Sequence, residues 1–276
     1  MEVLIVDKEQ KLSKLLMEKF HLSYSAAKIL IKKKNIKVNG KRVSDDQVVC
    51  SGDKLEIFGI KEKTKNVEIV FEDSNILVAN KPAGVEVCDG DEQTLEKMLA
   101  GAGKGVFAVH RIDRNTTGLV VFAKNLEAKK ELEQMFKTHA IKKFYLAEVV
   151  GKMPRRADTL VAYLKKVATK SIVFVSDSPK EGYSKIITKY RVLSSNNLSS
   201  LLEVEIETGK THQIRAHLAH VGHALVGDDK YGNKQQNNQF KKHKQQLVSY
   251  KLVFENPKGV LEYLKGKVVE LDTTQK

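Results

Sequence analysis

From Val67 onward the chain strings apolar segments together with few helical patterns between them. "VEIVFED", "NILVANKP", "VFAVHRI", "GLVVFAKN", "KFYLAEVVG", "DTLVAYL", "SIVFVS", "SKIITKYRVL", "LLEVEIET" and "LVSYKLVFE" each read as a strand bounded by polar or turn residues. Only "TLEKMLA", "LEAKKELEQMFKTH" and "THQIRAHLAHVG" carry helical spacing. Strands that follow one another without a crossover helix pair as hairpins and meanders. The pattern therefore predicts an α+β domain with a mixed, mainly antiparallel sheet, and argues against a doubly wound fold with strict βαβ alternation. "GAGKG" (101–105) reads as an ordinary turn, and "KQQNNQFKKHKQQ" (234–246) as an exposed loop or frayed helix.

Residues 1–59 have a different grain. "KLSKLLMEKF" spaces Leu12, Leu15, Leu16 and Phe20 as one helix face. "SYSAAKILIKKKN" opens with serines suited to capping and places Ala26, Ile29 and Leu30 on one face, with Lys28, Lys32, Lys33 and Lys34 projecting largely elsewhere. "IKVNGKRV" centres a hairpin on Asn39-Gly40, and "GDKLEIF" supplies a further strand. "KEKTKN" and its surroundings (60–66) read as a charged linker, so the expected division is 1–59, a linker at 60–66, and 67–276.

Net charge narrows the partners. The chain of 276 residues carries 48 Lys and Arg against 34 Asp and Glu, for +14. Of this, +6 falls before Val67 and +8 is spread over the remaining 210 residues. Such an excess favours a polyanion, nucleic acid before an anionic membrane. Two cysteines, Cys50 and Cys88, make no CxxC pair and no disulfide framework. "MEVLIVDKEQ" lacks the basic start and apolar core of a leader peptide, and no apolar run reaches the roughly 18 residues of a membrane span. The expectation is a cytoplasmic, soluble protein with no membrane partner.

Several chemistries lack their residues. Four histidines, His212, His217, His220 and His223, cluster in one segment, but no carboxylate or cysteine joins them and HExxH is absent, so no metal is expected. GxxxxGK[ST] and GxSxG are absent too. Three places remain. In "HRIDRNTTGL" (110–119) an aspartate stands between two apolar runs, both read as buried strands. Asp113 alone would be an ordinary turn residue, but Arg111 and Arg114 put positive charge beside it and favour its ionised form. An ionised carboxylate serves as nucleophile or base without a metal. Thr116, Thr117 and Gly118 are placed to tighten that turn. In "ETGKTHQIRAHL" (207–218) a glycine turn leads into a helix whose start, with Lys210 and Thr211, suits an anion. Arg215, one turn in, is placed to reach a carboxylate from another segment or to form a surface ion pair. In "KKFYLAEVVG" Tyr145 interrupts an apolar strand, as a core tyrosine or as a ring offered to a flipped base.

Together these segments resemble the signatures of the RluA-type RNA pseudouridine synthases. "HRIDRNTTGLVVFAKN" is similar to the aspartate motif, "NKPAGVEV" to the segment before it, "KFYLAEVVG" to the tyrosine motif, and "TGKTHQIRAHLAHVGHALVGDDKYG" to the arginine motif, in the family's order across about residues 67–255. Thr117 stands where serine is commoner, Lys210 where arginine is, and Ala224 where proline is. The first sixty residues resemble, more loosely, the alpha-L RNA-binding domain of a small-subunit ribosomal protein. The resemblance implies a pseudouridine synthase fold, no cofactor, and isomerisation of uridine in RNA. It makes Asp113 the catalytic aspartate, Arg111 the arginine that displaces the target base, Tyr145 the tyrosine that stacks on the flipped ring, and Arg215 the partner of the aspartate. Whether the carboxylate attacks sugar or base, or takes a proton from C2′, stays open. Ribosomal RNA is the first expected substrate and transfer RNA the second, with Lys28, Lys32, Lys33, Lys34 and Lys210 as RNA contacts and a monomer as the working unit. A non-catalytic RNA-binding or ribosome-assembly factor on the same fold is the main competing reading, and a histidine-based metal hydrolase a weaker one.

Overall fold

The computed structural model describes residues 2–20, 22, 24–58, 67–90, 93–167, 171–242 and 244–272. The chain forms two compact units, Met1–Asn66 and Val67–Lys276. The expected linker at 60–66 lies outside the described residues.

The first unit contains β1 (Glu2–Ile5), β2 (Gln10–Lys11), α1 (Leu12–Phe20), α2 (Tyr24–Lys32), β3 (Ile36–Val38), β4 (Lys41–Val43), β5 (Val48–Val49) and β6 (Lys54–Ile57). Four strands pair antiparallel in the order β1-β6-β3-β4, and β2 pairs with β5. Asn39 and Gly40 both take positive φ (49° and 81°), as a two-residue turn matching strand twist requires. Leu12, Leu15 and Leu16 are fully buried, with Phe20 packed against the same core. The second helix is rotated from the expected face. Ala27 and Ile31 fill the core with Leu30 beside them, whereas Ile29 is exposed. "AAKILI" holds two overlapping apolar stripes one residue apart, and packing selects the later one. The Ala26 side chain and Ser23 lie outside the described residues, and Ser25 falls inside the helix rather than capping it.

The second unit contains β7 (Glu68–Glu72), β8 (Ile76–Lys81), α3 (Leu95–Gly101), β9 (Phe107–Ala108), β10 (Thr117–Ala123), α4 (Leu126–Lys137), β11 (Ile141–Val150), β12 (Ala157–Val167), β13 (Ile172–Ser176), β14 (Ser184–Ser195), β15 (Ser199–Ile206), α5 (Gln213–His220), α6 (Lys234–Phe240), β16 (Leu247–Phe254), a 3-10 turn (Gly259–Leu264) and β17 (Val268–Glu270). Eleven strands form one sheet in the order β13-β12-β14-β15-β11-β16-β10-β8-β7, with β9 on β10 and β17 on β16. Among the described strands only β10 and β16 pair in parallel, so the sheet is mixed and mainly antiparallel, as the strand succession predicts.

Two strands carry unbroken apolar runs, 76–79 in β8 and 119–123 in β10, because both their faces are covered there. On β8 and β10, Ile76, Val78, Leu119 and Val121 face the core that includes α4, while Leu77, Ala79, Val120 and Phe122 face the core that includes α3. The expected strand at 106–109 is shorter and less buried. It is two residues long, and Phe107 is exposed. β11 alternates cleanly, with Ile141, Lys143, Tyr145, Ala147 and Val149 inward. Opposite Tyr145 the β11–β16 register slips at Tyr250, so that Phe144 pairs with Lys251 and Tyr145 with Ser249. Such a bulge re-aims side chains beside a site.

Candidate active site

The site lies where β10 meets β16. Gly118 is not part of the preceding turn, as its neighbours suggest. It is a strand residue at φ +107°, where a Cβ would lie 2.1 Å from the Ser249 carbonyl oxygen, so only glycine permits this parallel contact. The contact anchors one end of the segment 110–116. His110 anchors the other end. Its Nε2 accepts from the Val121 N–H at 2.9 Å, which extends the β9–β10 ladder through a side chain, and its ring stacks on Phe136. Burial, with the nearby Lys143 charge, pushes the His110 pKa down to about 3, so the ring stays a neutral acceptor.

Lys81 fixes the middle. It is fully buried, and its ammonium donates to the carbonyls of Val85 (2.8 Å), Arg114 (2.9 Å) and Pro82 (3.1 Å). Gly84 N–H donates to the Arg114 carbonyl at 2.8 Å, and Arg114 Nε returns a bond to the Gly84 carbonyl at 3.2 Å. Gln245 Nε2 donates to the buried Thr116 hydroxyl at 2.7 Å, and Thr116 N–H closes the turn onto the Asp113 carbonyl. The backbone on both sides of Asp113 is thus held before any substrate arrives. Arg114 is used in this scaffold, while Arg111 is exposed on the cleft wall.

Arg215 comes in from α5. It is 4% exposed, and its Nη1 donates to Asp113 Oδ2 at 3.3 Å, as its place in the helix suggests. Its closest partner is one that sequence reasoning misses. Asp228, fully buried, accepts from Arg215 Nε at 2.7 Å and Nη2 at 2.9 Å. Asp228 also accepts from the Lys230 and Tyr231 N–H groups, and Gly227, just before it, lets the backbone pass where a Cβ would lie 2.2 Å from the Lys244 carbonyl. Asp228 takes the Nε and Nη2 groups along one edge of the guanidinium, which leaves Nη1 to meet Asp113. Burial opposes the charge on both partners. The pairing outweighs it, lowering the Asp228 pKa and raising that of Arg215.

Tyr145 and His212 complete the wall. Tyr145 is 7% exposed, and burial, with the Asp113 charge, keeps its hydroxyl protonated by raising its pKa. His212 takes a left-handed backbone (φ 54°) at the start of α5. Tyr231 accepts from the Val173 N–H at 2.9 Å, and its hydroxyl shares a hydrogen bond of 2.8 Å with His212 Nδ1. Burial lowers the His212 pKa and favours the neutral ring. The cleft has a cavity volume of about 170 Å³ and is open to solvent. Its lining brings together Arg111, Asp113, Tyr145, Lys210 and Arg215 from three segments far apart in sequence.

The four clustered histidines do not converge. His212 meets Tyr231, His217 meets Thr188, His220 meets Asp177, and His223 meets the Val150 carbonyl. Among the described residues no three His, Cys, Asp or Glu side chains are grouped as metal ligands would be. Of the basic residues singled out in the first unit, Lys32, Lys33 and Lys34 are exposed. Lys28 is instead tied to the unit's own structure. It pairs at 3.1 Å with Asp46, whose carboxylate caps the start of α1 through Ser13.

Known proteins place this arrangement. Residues 75–220 match the family described as RNA pseudouridylate synthase. A Bacillus subtilis protein named uncharacterized RNA pseudouridine synthase YhcT is 35% identical over 218 residues, covering 71% of this chain and 70% of that protein. The ribosomal large subunit pseudouridine synthase C of Vibrio parahaemolyticus is 30% identical, covering 74% and 70%. The solved structure of human RNA pseudouridylate synthase domain containing 1 superposes with a TM-score of 0.62 at 26% identity, over 70% of this chain and 80% of that one. A mixed sheet, a carboxylate held at its parallel seam, and a match that spans the aspartate, tyrosine and arginine segments agree: the chain belongs to the RNA pseudouridine synthases of the RluA type.

Proposed function

We propose that this protein converts uridine to pseudouridine in ribosomal RNA, with Asp113 as the catalytic carboxylate. The observation that carries the reading is the chain Asp228–Arg215–Asp113, which presents one carboxylate to the cleft beside Tyr145. The N1–C1′ bond of the bound uridine breaks, the uracil turns, and C5 bonds to C1′. The C5 proton is lost and N1 ends protonated, so the product is an isomer and nothing is oxidised. Asp113 acts as a carboxylate, and Arg215, donating to its Oδ2 at 3.3 Å, fixes its direction. Tyr145 offers its ring to the flipped base, and Arg111, at the cleft wall, takes the place the base vacates. Lys210 meets the RNA backbone.

Ribosomal RNA is favoured by the Vibrio relative's name and by the basic first unit, which we read as an alpha-L RNA-binding domain presenting Lys32, Lys33 and Lys34. Transfer RNA is the alternative. The protein works as a monomer in the cytoplasm; among the described residues no helix is long and apolar enough to cross a membrane. The test is release of tritium from C5-labelled uridine in ribosomal and transfer RNA transcripts. Wild type releases label from the ribosomal transcript and Asp113→Asn does not. Label freed equally by both proteins would remove Asp113 from the chemistry, and no release from either RNA would leave only RNA binding.

A further inference from the structure

Two lysines of the second unit are buried, and among the described residues only Lys81 has hydrogen-bond partners for its ammonium. Lys81 gives its protons to three carbonyls. Lys143 is 7% exposed, yet its ammonium makes no hydrogen bond or ion pair with any described residue. It lies beside the Phe136 ring, with the centroid 5.9 Å away, and beside Gly209, where an added Cβ would sit 3.8 Å from Nζ. Lys143 stands two residues before Tyr145 on the inward face of β11 and lines the same cleft.

The Lys143 side chain lies largely out of water while its ammonium reaches the open cleft, and an ammonium partly desolvated without a counter-charge is disfavoured. Burial alone accounts for the lowered Lys143 pKa, and no carboxylate offsets it. The charge of the cleft wall is correspondingly unbalanced. Arg111, Lys143, Lys210 and Arg215 face a single carboxylate, Asp113. Arg215 is already matched by Asp113 and Asp228. Uracil is neutral and supplies no missing charge. A phosphodiester does, and every nucleotide that enters the cleft brings one.

We propose that Lys143 is an RNA phosphate-binding residue inside the catalytic cleft, contacting a backbone phosphate next to the uridine being modified. The inference rests on the reading that this cleft receives an RNA uridine. Its energetic logic is that an ammonium kept partly desolvated meets the phosphate without first shedding a full hydration shell.

The test uses the full chain carrying Asp113→Asn, so that binding is read without turnover. Affinity for a short oligouridylate is measured by fluorescence anisotropy from about 50 to 200 mM KCl, alongside an oligouridylate with uncharged methylphosphonate linkages. Lys143→Met weakens binding to the charged oligomer about tenfold at the lowest salt and reduces the salt slope by about 0.7, the value for one phosphate contact on a single strand. Lys143→Arg keeps the slope, and neither change alters binding to the neutral oligomer. Lys143→Met also melts no lower than the parent, since it removes a partly desolvated charge that no carboxylate offsets. An unchanged slope, equal weakening on the neutral oligomer, or failure of Lys143→Met to fold would each overturn the proposal. The second result would assign the ammonium to the base, and the third to the scaffold. Tritium release by the protein with Asp113 intact is run in parallel; its absence would sink the isomerase reading and leave the phosphate comparison standing.

Discussion

Replacing Asp228 by asparagine keeps the shape of the side chain and removes its charge. Asp228 Oδ2 accepts from Arg215 Nε, while Oδ1 accepts from Arg215 Nη2 and from the N–H groups of Lys230 and Tyr231. An asparagine amide turned either way sets an NH₂ group against at least one Arg215 donor. Arg215, with a side chain 5% exposed, is left with Asp113 at 3.3 Å and the exposed Asp229 at 3.6 Å. Breaking a buried pair in this way costs about 3–5 kcal/mol. The amide retains part of the bonding, so the expected loss is about 3 kcal/mol, or roughly 6–12 °C in melting temperature for a unit of this size. The guanidinium also loses the clamp that aims Nη1 at Asp113. Misplacement of a positioned group by about 1 Å costs about a hundredfold in rate, so kcat should fall by about that factor at a temperature where the variant is folded, with KM nearly unchanged. Differential scanning fluorimetry and tritium release on the same preparation read both quantities. A variant that melts within about 2 °C of wild type and turns over at the wild-type rate would refute the reasoning that Asp228 orients Arg215.

Lys81→Met takes the donor from three carbonyls, of which that of Arg114 keeps the Gly84 N–H; the expected loss is about 2–4 kcal/mol, read as a lowered urea midpoint. Lowering the pH from 7 to 5 should destabilise the protein through His110 and His217, whose folded pKa values are pushed by burial to about 3 and about 4. Below the ordinary value near 6.5 the unfolded chain binds protons that the folded chain refuses, so stability falls as pH falls, by about 2 kcal/mol for each histidine over that interval. Asp228 adds nothing there, because its lowered pKa takes effect only below the ordinary carboxylate range. Thermal melts at the two pH values decide; equal melting temperatures would contradict the burial argument.

The strands that make the sheet are visible in the sequence because β8 and β10 are buried on both faces and β11 on one, which leaves unbroken or alternating apolar runs. The convergence of Asp113, Tyr145 and Arg215 is legible through motif resemblance, not through physics, since nothing in local pattern says that residues 102 positions apart will meet. Asp228 and Lys81 escape for the same reason. A buried charge is recognised by its partner, and their partners are backbone groups or a distant arginine. Lys143 hides differently, in a run of two lysines, where only the alternation of β11 decides which one turns inward. The misjudged face of α2 shows the limit of periodicity in a helix with adjacent apolar residues. Ile29 and Ile31 fit equally well until the sheet beneath chooses.

The most direct measurement is a map of pseudouridine in ribosomal RNA after incubation with wild type and with Asp113→Asn, by carbodiimide adduct formation and reverse-transcription stops. The account predicts stops at one or more defined uridines with wild type and none with the variant, although both bind the RNA. New stops made equally by Asp113→Asn, or none made by wild type on naked RNA and on ribosomal particles, would contradict it.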